Sequence, residues 1–315
     1  MSTAVIPVVE ADAWMRRVME SDASAKAGIL AYYDHRLRAI TRCPACALVP
    51  VDDHLVHRGD GVFETVSFKQ RGLIDLDAHL RRLEHSVQGL SLSLPCSLEE
   101  LRAIVIAVAT ASGVNDGMLR ILVGRGQGGF GLDPAQCPVA GLYVTAYHEL
   151  EEVGFPSGAT AARSSVPVKP AMLAKLKTTN YVLNVLMVIE ASRRGVDFVF
   201  SFDEDGFLAE APIANVALVD ARGTLVMPEF RNALAGTTAV KTAELAAGFM
   251  PVAWRPVPEQ DVFEAREILL LGTAHGCLSV VCYEGETIGN GLPGPVADRL
   301  RVLLAETLQE ERVLF

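Results

Sequence analysis

The sequence predicts a mixed α/β (α+β) fold in two units, on three observations. Apolar residues at helical spacing alternate with β-branched runs along all 315 residues, the runs are separated by Asp-Gly and Gly-rich turns, and no fixed period repeats. The length itself favours two domains. The expected division is an N-terminal helical extension over 1–27, a smaller α/β unit over 28–148, a linker over 149–158 and a larger unit over 159–315.

The elements follow in order. Residues 9–27 predict a helix docked as an appendage, with Trp14, Val18 and Met19 on one side. Residues 47–68, ALVPVDDHLVHRGDGVFETVSF, predict strand, polar turn and strand. Residues 72–90 predict a strand end and an amphipathic helix, with Asp77 as N-cap and Leu80, Leu83, Val87 and Leu90 at helical spacing. Pro95 and Ser97 introduce a helix over 98–112, followed by strands over 119–126 and 141–147. The acidic, Gly- and Pro-containing stretch 149–158 suits a linker.

In the second half, Val182, Val185, Leu186 and Ile189 place an apolar stripe on a helix that starts near Asn180 and stops at Gly195. Residues 197–211 and 215–228 predict strand, turn and strand, with Asp-Gly and Arg-Gly at the tips. Residues 234–248 predict a loop feeding a helix, 266–276 a strand running into a Gly-Thr turn, and 295–310 a helix.

Composition narrows the function. With 50% hydrophobic and 21% charged residues the chain is globular, and a net charge of −10 argues against a nucleic-acid surface. A small-molecule substrate is expected. The first residues lack a basic segment followed by an apolar core, and no run is long enough for a membrane span, so a cytoplasmic protein is expected. Six cysteines are too sparse for a disulfide framework. Cys43 and Cys46 form CPAC, but no second CxxC or HxxxH completes four zinc ligands, and the motif reads as a Pro turn. No metal site is expected.

The run GRGQGGFG, 124–131, contains GxGxxG after a strand, yet Leu132-Asp133-Pro134 follows where a dinucleotide fold needs a helix, so it reads as a loop between strands. Better anion sites are Gly236-Thr237-Thr238 at a helix start and Gly272-Thr273-Ala274 after a strand. Arg82 supplies a cation. A lysine at a helix entrance is either solvent-exposed or a desolvated amine able to condense with an aldehyde, and the pattern does not decide between Lys175 and Lys177. Glu210 is as readily a surface carboxylate as a partner for a pyridine nitrogen. Taken together, phosphate turns, arginine, lysine and carboxylate describe pyridoxal phosphate binding.

The motifs PVDDHLVHRGDGVFET, HLRRL, LKTTNYVLN, GFLAEAPIANVALV, VMPEFRNALAGTT and LLGTA, in this order, resemble the class IV, fold-type IV, pyridoxal-phosphate aminotransferases. The resemblance runs from about residue 31 to about residue 291. It implies a two-domain fold-type IV enzyme, a homodimer, with pyridoxal 5'-phosphate in the cleft. It also implies Lys177 as the Schiff-base lysine, Glu210 at the pyridine nitrogen, and Arg82, Gly236, Thr237, Thr238, Gly272 and Thr273 around the phosphate. Phe63, Arg125 and Ala274 are the implied substrate contacts.

Within the family the spacing Lys177-Thr178-Thr179-Asn180 resembles D-amino-acid transaminases and aminodeoxychorismate lyases, and lacks the K-x-G-G-N-Y of branched-chain enzymes. DDHLVHRGDGVFET and VMPEF resemble the plant-type D-amino-acid transaminase-like proteins. GQGGFGLDP stands where bacterial D-amino-acid enzymes carry R-x-H, and LAGTTA replaces the usual LPGITR. A transaminase acting on a D-amino acid or branched-chain amino acid and a 2-keto acid is expected; the alternative is the lyase, giving 4-aminobenzoate and pyruvate.

Overall fold

The computed structural model describes residues 6–21, 28–149 and 154–315. The first half contains α1 (Ala11–Glu20), β1 (Ile29–Asp34), β2 (Ala39–Thr41), α2 (His54–Arg58), β3 (Gly61–Lys69), β4 (Gly72–Leu73), α3 (Leu76–Gly89), α4 (Leu98–Ser112), β5 (Gly117–Gly124) and β6 (Gly141–Tyr147). The second contains β7 (Ala159–Arg163), α5 (Ala171–Ala174), α6 (Val182–Arg194), β8 (Phe198–Phe200), β9 (Asn215–Val219), β10 (Leu225–Pro228) and α7 (Thr237–Ala247). It continues with β11 (Val252–Arg255), α8 (Glu259–Phe263), β12 (Glu267–Gly272), β13 (Gly276–Tyr283), β14 (Glu286–Thr287), α9 (Pro295–Glu310) and β15 (Val313–Leu314).

Among the described residues the strands form two sheets. The seven-stranded sheet, ordered β15-β4-β3-β5-β6-β1-β2, is antiparallel throughout. The eight-stranded sheet, ordered β11-β10-β9-β12-β13-β7-β8 with β14 beside β13, is mixed, with parallel pairs β10/β11, β13/β7 and β7/β8. Leu80, Leu83 and Val87 of α3 and Val105 and Val108 of α4 cover one face of the first sheet. The second sheet is covered on both faces: Val216 and Leu218 of β9 belong to one core, and Ala217 and Val219, alternating with them, belong to another beneath α7 and α9.

Several elements differ from the expectations. The helix expected over 9–27 spans 11–20, with no buried side chain, and residues 22–27 lie outside the described residues. No strand forms before β3 within 47–60. Pro44–Cys46 make a 3₁₀ turn, and Asp53 instead caps α2 by accepting the Leu55 N–H at 2.9 Å. Cys43, Cys96, Cys137, Cys277 and Cys282 are free thiols. The cap position of α3 is Asp75, with φ 51°, and Asp77 sits in the first turn, where a carboxylate suits the helix dipole. Part of the expected linker, 150–153, lies outside the described residues.

Two differences have a common cause, the partner chosen by an element. Val313 and Leu314, expected with the second unit, pair with Leu73 and Gly72 of the first sheet. The apolar stripe of α6 does not face the core: Val182 is 70% exposed and Val185 52%, while Asn184, Met187 and Ala191 face inward. Period alone shows that a face is apolar and is silent about what covers it.

Candidate active site

Phe63 and Glu64 are consecutive on β3, so the pleat sends their side chains to opposite faces. Glu64 is fully buried against α3. Arg82 donates Nε to its Oε1 and Nη2 to its Oε2, each at 2.7 Å, and His79 Nδ1 lies 2.8 Å from Oε2. Three residues apart, His79 and Arg82 share one helix face. Burial pushes the Glu64 carboxyl up, but the hydrogen bonds from Arg82 and His79 outweigh it and hold it at about 2. The remaining nitrogen, Nη1, donates to the Ala235 carbonyl at 3.3 Å and brings Arg82 to the loop that enters α7.

Lys177 lies in an extended segment laid along β3. The Phe63 N–H donates to the Lys177 carbonyl at 2.9 Å, the Thr179 N–H to the Gly61 carbonyl at 2.8 Å, and the Lys177 N–H to Ser86 Oγ at 3.1 Å. The Asn180 amide and the Thr179 hydroxyl both donate to the Gly59 carbonyl, at 2.8 and 2.9 Å. Gly59 ends α2 at φ +63°, and an added Cβ would come 2.8 Å from Asn180 Oδ1. Turn and close approach together require glycine there.

The Lys177 side chain turns inward and Lys175 is exposed. Lys177 Nζ is 3.4 Å from the Tyr181 hydroxyl and 4.7 Å from the centre of the Phe63 ring, which meets the Tyr181 ring edge-on at 4.9 Å. Desolvation, then repulsion from Arg82, lowers the ammonium to about 8, against the pull of Glu64 and Glu210. Glu210 forms a single bridge with Asn215 at the start of β9. Its Oε2 accepts the Leu234 N–H at 3.1 Å and its Oε1 lies 3.9 Å from Lys169 Nζ. Burial pushes this carboxyl up, with Lys169 opposing.

Arg82, Lys177, Glu210, Gly236, Thr237, Thr238, Gly272 and Thr273 line one cavity, joined by Tyr181, Asn184 and Lys169. Gly236 is the N-cap of α7, so Thr237 and Thr238 open the helix. Phe63 borders Lys177 from β3. Ala274 follows Thr273 in the β12–β13 turn and is not a lining residue. Arg125 does not line this cavity: its Nε and Nη2 donate to Asp60 at 2.8 and 3.0 Å and its Nη1 and Nη2 to the Ser91 and Leu90 carbonyls. It fastens the start of the 124–131 loop. That loop joins β5 to β6 and opens no α-helix, as expected.

Tyr181, Lys169 and Asn184 were missed. Tyr181 had a signal, an aromatic residue four positions beyond the lysine; the other two reach the cavity only through the fold. The cavity's donor set fits a phosphorylated pyridine aldehyde, with hydroxyls and a helix start for an anion, a carboxylate for a ring nitrogen and an amine between them. Asn184 Oδ1 is buried with no hydrogen-bond partner among the described residues, and a Cβ on Gly236 would run into the Asn215 side chain. The first leaves a polar atom for a bound group to satisfy, and the second leaves the turn at α7 no room for a side chain.

A sequence model of the amino-transferase class IV family matches residues 61–283, from the first residue of β3 to the last of β13. The chain belongs to this family. It is 37% identical over 287 residues to a D-amino-acid transaminase, chloroplastic, from Arabidopsis thaliana, covering 89% of this chain and 77% of that one. It is 30% identical over 258 residues to a putative branched-chain-amino-acid aminotransferase from Methanocaldococcus jannaschii, covering 81% and 89%. Its structure superimposes on a branched-chain amino acid aminotransferase from T.th. with pyridoxamine 5'-phosphate at a TM-score of 0.84 and 26% identity, over 90% of this chain and 95% of that one. The class IV resemblance and the fold class expected from the motifs therefore hold. The protein is an aminotransferase of this class.

Proposed function

We propose that the protein is a pyridoxal-phosphate-dependent transaminase that moves an amino group between a D-amino acid or branched-chain amino acid and a 2-keto acid, with Lys177 as its catalytic residue. The observation that carries this reading is the meeting, in one cavity, of the Lys177 amine, the Glu210 carboxylate and the Thr237, Thr238 and Thr273 turns beside Arg82. When bound, pyridoxal phosphate supplies an aldehyde and an electron-accepting ring.

Everything else is the work of the chain. Lys177, with its amine near neutrality, carries a proton to and from the substrate's α-carbon at Nζ. Glu210 holds a proton on the ring nitrogen through a charge-assisted hydrogen bond. Arg82 and the threonine turns anchor the phosphate. Phe63 and Tyr181 screen the amine from water, and the Tyr181 hydroxyl orients it.

Purified protein loaded with pyridoxal phosphate tests the reading in a donor screen with D- and L-alanine, D-glutamate and L-leucine, scored by keto acid formed. Turnover with an amino acid and a keto acid is expected. Release of 4-aminobenzoate from aminodeoxychorismate with no transamination would replace it by the lyase.

A homodimer and a cytoplasmic location belong to the same proposal. The exposed Val182, Val185, Leu186 and Ile189 face of α6 supports the first, because a second copy would remove it from water. Light scattering of Val185→Glu against the unaltered chain tests it, with a shift to monomer expected. Among the described residues no helix is long and apolar enough to cross a membrane.

A further inference from the structure

The first sheet has two faces with different duties. Leu119, Ile121 and Val123 of β5 point into the core beneath α3 and α4. Arg120, between two of them, points the other way. In the antiparallel register Arg120 stands opposite Thr65 of β3 and Thr145 of β6, and Leu122 opposite Phe63, so Arg120 and Phe63 are diagonal neighbours on the open face.

The guanidinium of Arg120 lies 4.7 Å from the centre of the Phe63 ring. Lys177 Nζ lies at the same distance from that ring, so the two cations are at most twice this distance apart. They also repel: Arg120 is among the charges that lower the Lys177 ammonium. Among the described residues no ion pair or hydrogen bond engages the Arg120 guanidinium. Other arginines of this unit are occupied: Arg36 is paired with Asp34, Arg82 with Glu64 and Arg125 with Asp60.

A part-buried guanidinium without a counter-ion, close to a second cation, is unfavourable unless something negative arrives. Its fork of donors matches a carboxylate in two-point geometry. The α-carboxylate of an amino acid is two bonds from the nitrogen that reacts, and a side-chain carboxylate lies a few bonds further. Because the two cations are at most twice 4.7 Å apart, either carboxylate is a candidate for Arg120. Arg125, one of the implied substrate contacts, already has four of its five N–H donors engaged by Asp60, Ser91 and Leu90.

We propose that Arg120 anchors a carboxylate of the substrate, with Phe63 as the plate that holds its guanidinium toward Lys177. This rests on the transaminase reading for the identity of the reacting nitrogen. It assigns a carboxylate site to β5 in a chain whose 124–131 loop carries no R-x-H.

The test uses the cofactor-loaded enzyme, unaltered and as Arg120→Gln, Arg120→Met and Arg120→Lys. Calorimetry measures the binding of propionate and glutarate, which cannot react, and steady-state kinetics measures KM and kcat for alanine and glutamate. Arg120→Gln and Arg120→Met should weaken carboxylate binding and raise KM roughly ten- to a hundredfold, with kcat reduced less and cofactor affinity unchanged. Arg120→Lys should recover part of the loss. The Met variant keeps the stem packed on Phe63 and reads the charge alone. Weakening with both ligands places the α-carboxylate on Arg120, and weakening with glutarate alone places the side-chain carboxylate there; either supports the anchor. Unaltered binding of both ligands to variants that still hold cofactor would overturn it. Failure of the unaltered enzyme to transaminate any donor would count against the transaminase reading instead, and the binding arm would still report on Arg120.

Discussion

Arg82 meets Glu64 in a two-point ion pair, Nε to Oε1 and Nη2 to Oε2, with both distances 2.7 Å. A carboxylate with 0% exposure thus aims the arginine at the α7 entrance before any phosphate is present. Glu64→Ala would leave Arg82 and His79 without their acid in a buried place. A loss of about 3 kcal/mol or more is expected, read as a lower urea midpoint. An unchanged midpoint would show that the pair stabilises nothing.

The same carboxyl sets a pH window. Its folded value, about 2, is below its ordinary 4.5, so between these the unfolded chain binds the extra proton. The stabilisation is complete above pH 4.5 and is lost as pH falls toward 2. The stability gap between the unaltered protein and Glu64→Gln should narrow across that window. A gap independent of pH would mean that the hydrogen bonds, and not the charge, carry it.

Lys177→Ala should abolish turnover and the covalent retention of cofactor with the fold intact, whereas exposed Lys175→Ala should do neither. Borohydride reduction followed by peptide mapping decides the matter: an adduct on Lys175 would reverse the assignment.

Burial beside Arg82 brings the Lys177 ammonium down from 10.5 to about 8. In protein stripped of cofactor, labelling of Lys177 by an amine reagent should therefore rise with a midpoint near pH 8. A midpoint at the ordinary lysine value would mean that the amine is solvated.

Glu210→Gln keeps shape and a hydrogen bond but removes the negative charge that supports a protonated ring nitrogen. Turnover should fall by orders of magnitude while cofactor stays bound through Arg82 and the threonine turns. Near-normal turnover with retained cofactor would require another acid partner.

Local chemistry made much of this legible in advance. Ser97 caps α4 by accepting the Glu100 N–H, Gly195 closes α6 in the left-handed region, and 295–310 is helical as its pattern predicts. These signals lie within a few residues of what they specify. The threonine turns were readable as anion sites from their local chemistry, whereas the pattern left Lys175 and Lys177 undecided and Glu210 as readily a surface carboxylate; the resemblance supplied Lys177 and Glu210. Arg125 and Arg120 show the limit: Arg120 lies on β5 and Arg125 directly follows it, and their different surroundings depend on Asp60 facing one and Phe63 lying beside the other. The α6 stripe, a helix as expected, shows the same limit, since what covers it is not written in the helix that carries it.

The pairing of Val313 and Leu314 with Gly72 and Leu73 bears on biosynthesis. The edge of the first sheet is closed by residues made after the whole of the second sheet, with Phe315 meeting Phe68 edge-on at 5.5 Å. A ribosome that has just released β3 and β4 therefore exposes an incomplete sheet margin, open to pairing with another chain, until the distant strand is translated and returns. The clasp means that the first sheet begins before the second is made and is completed only after it.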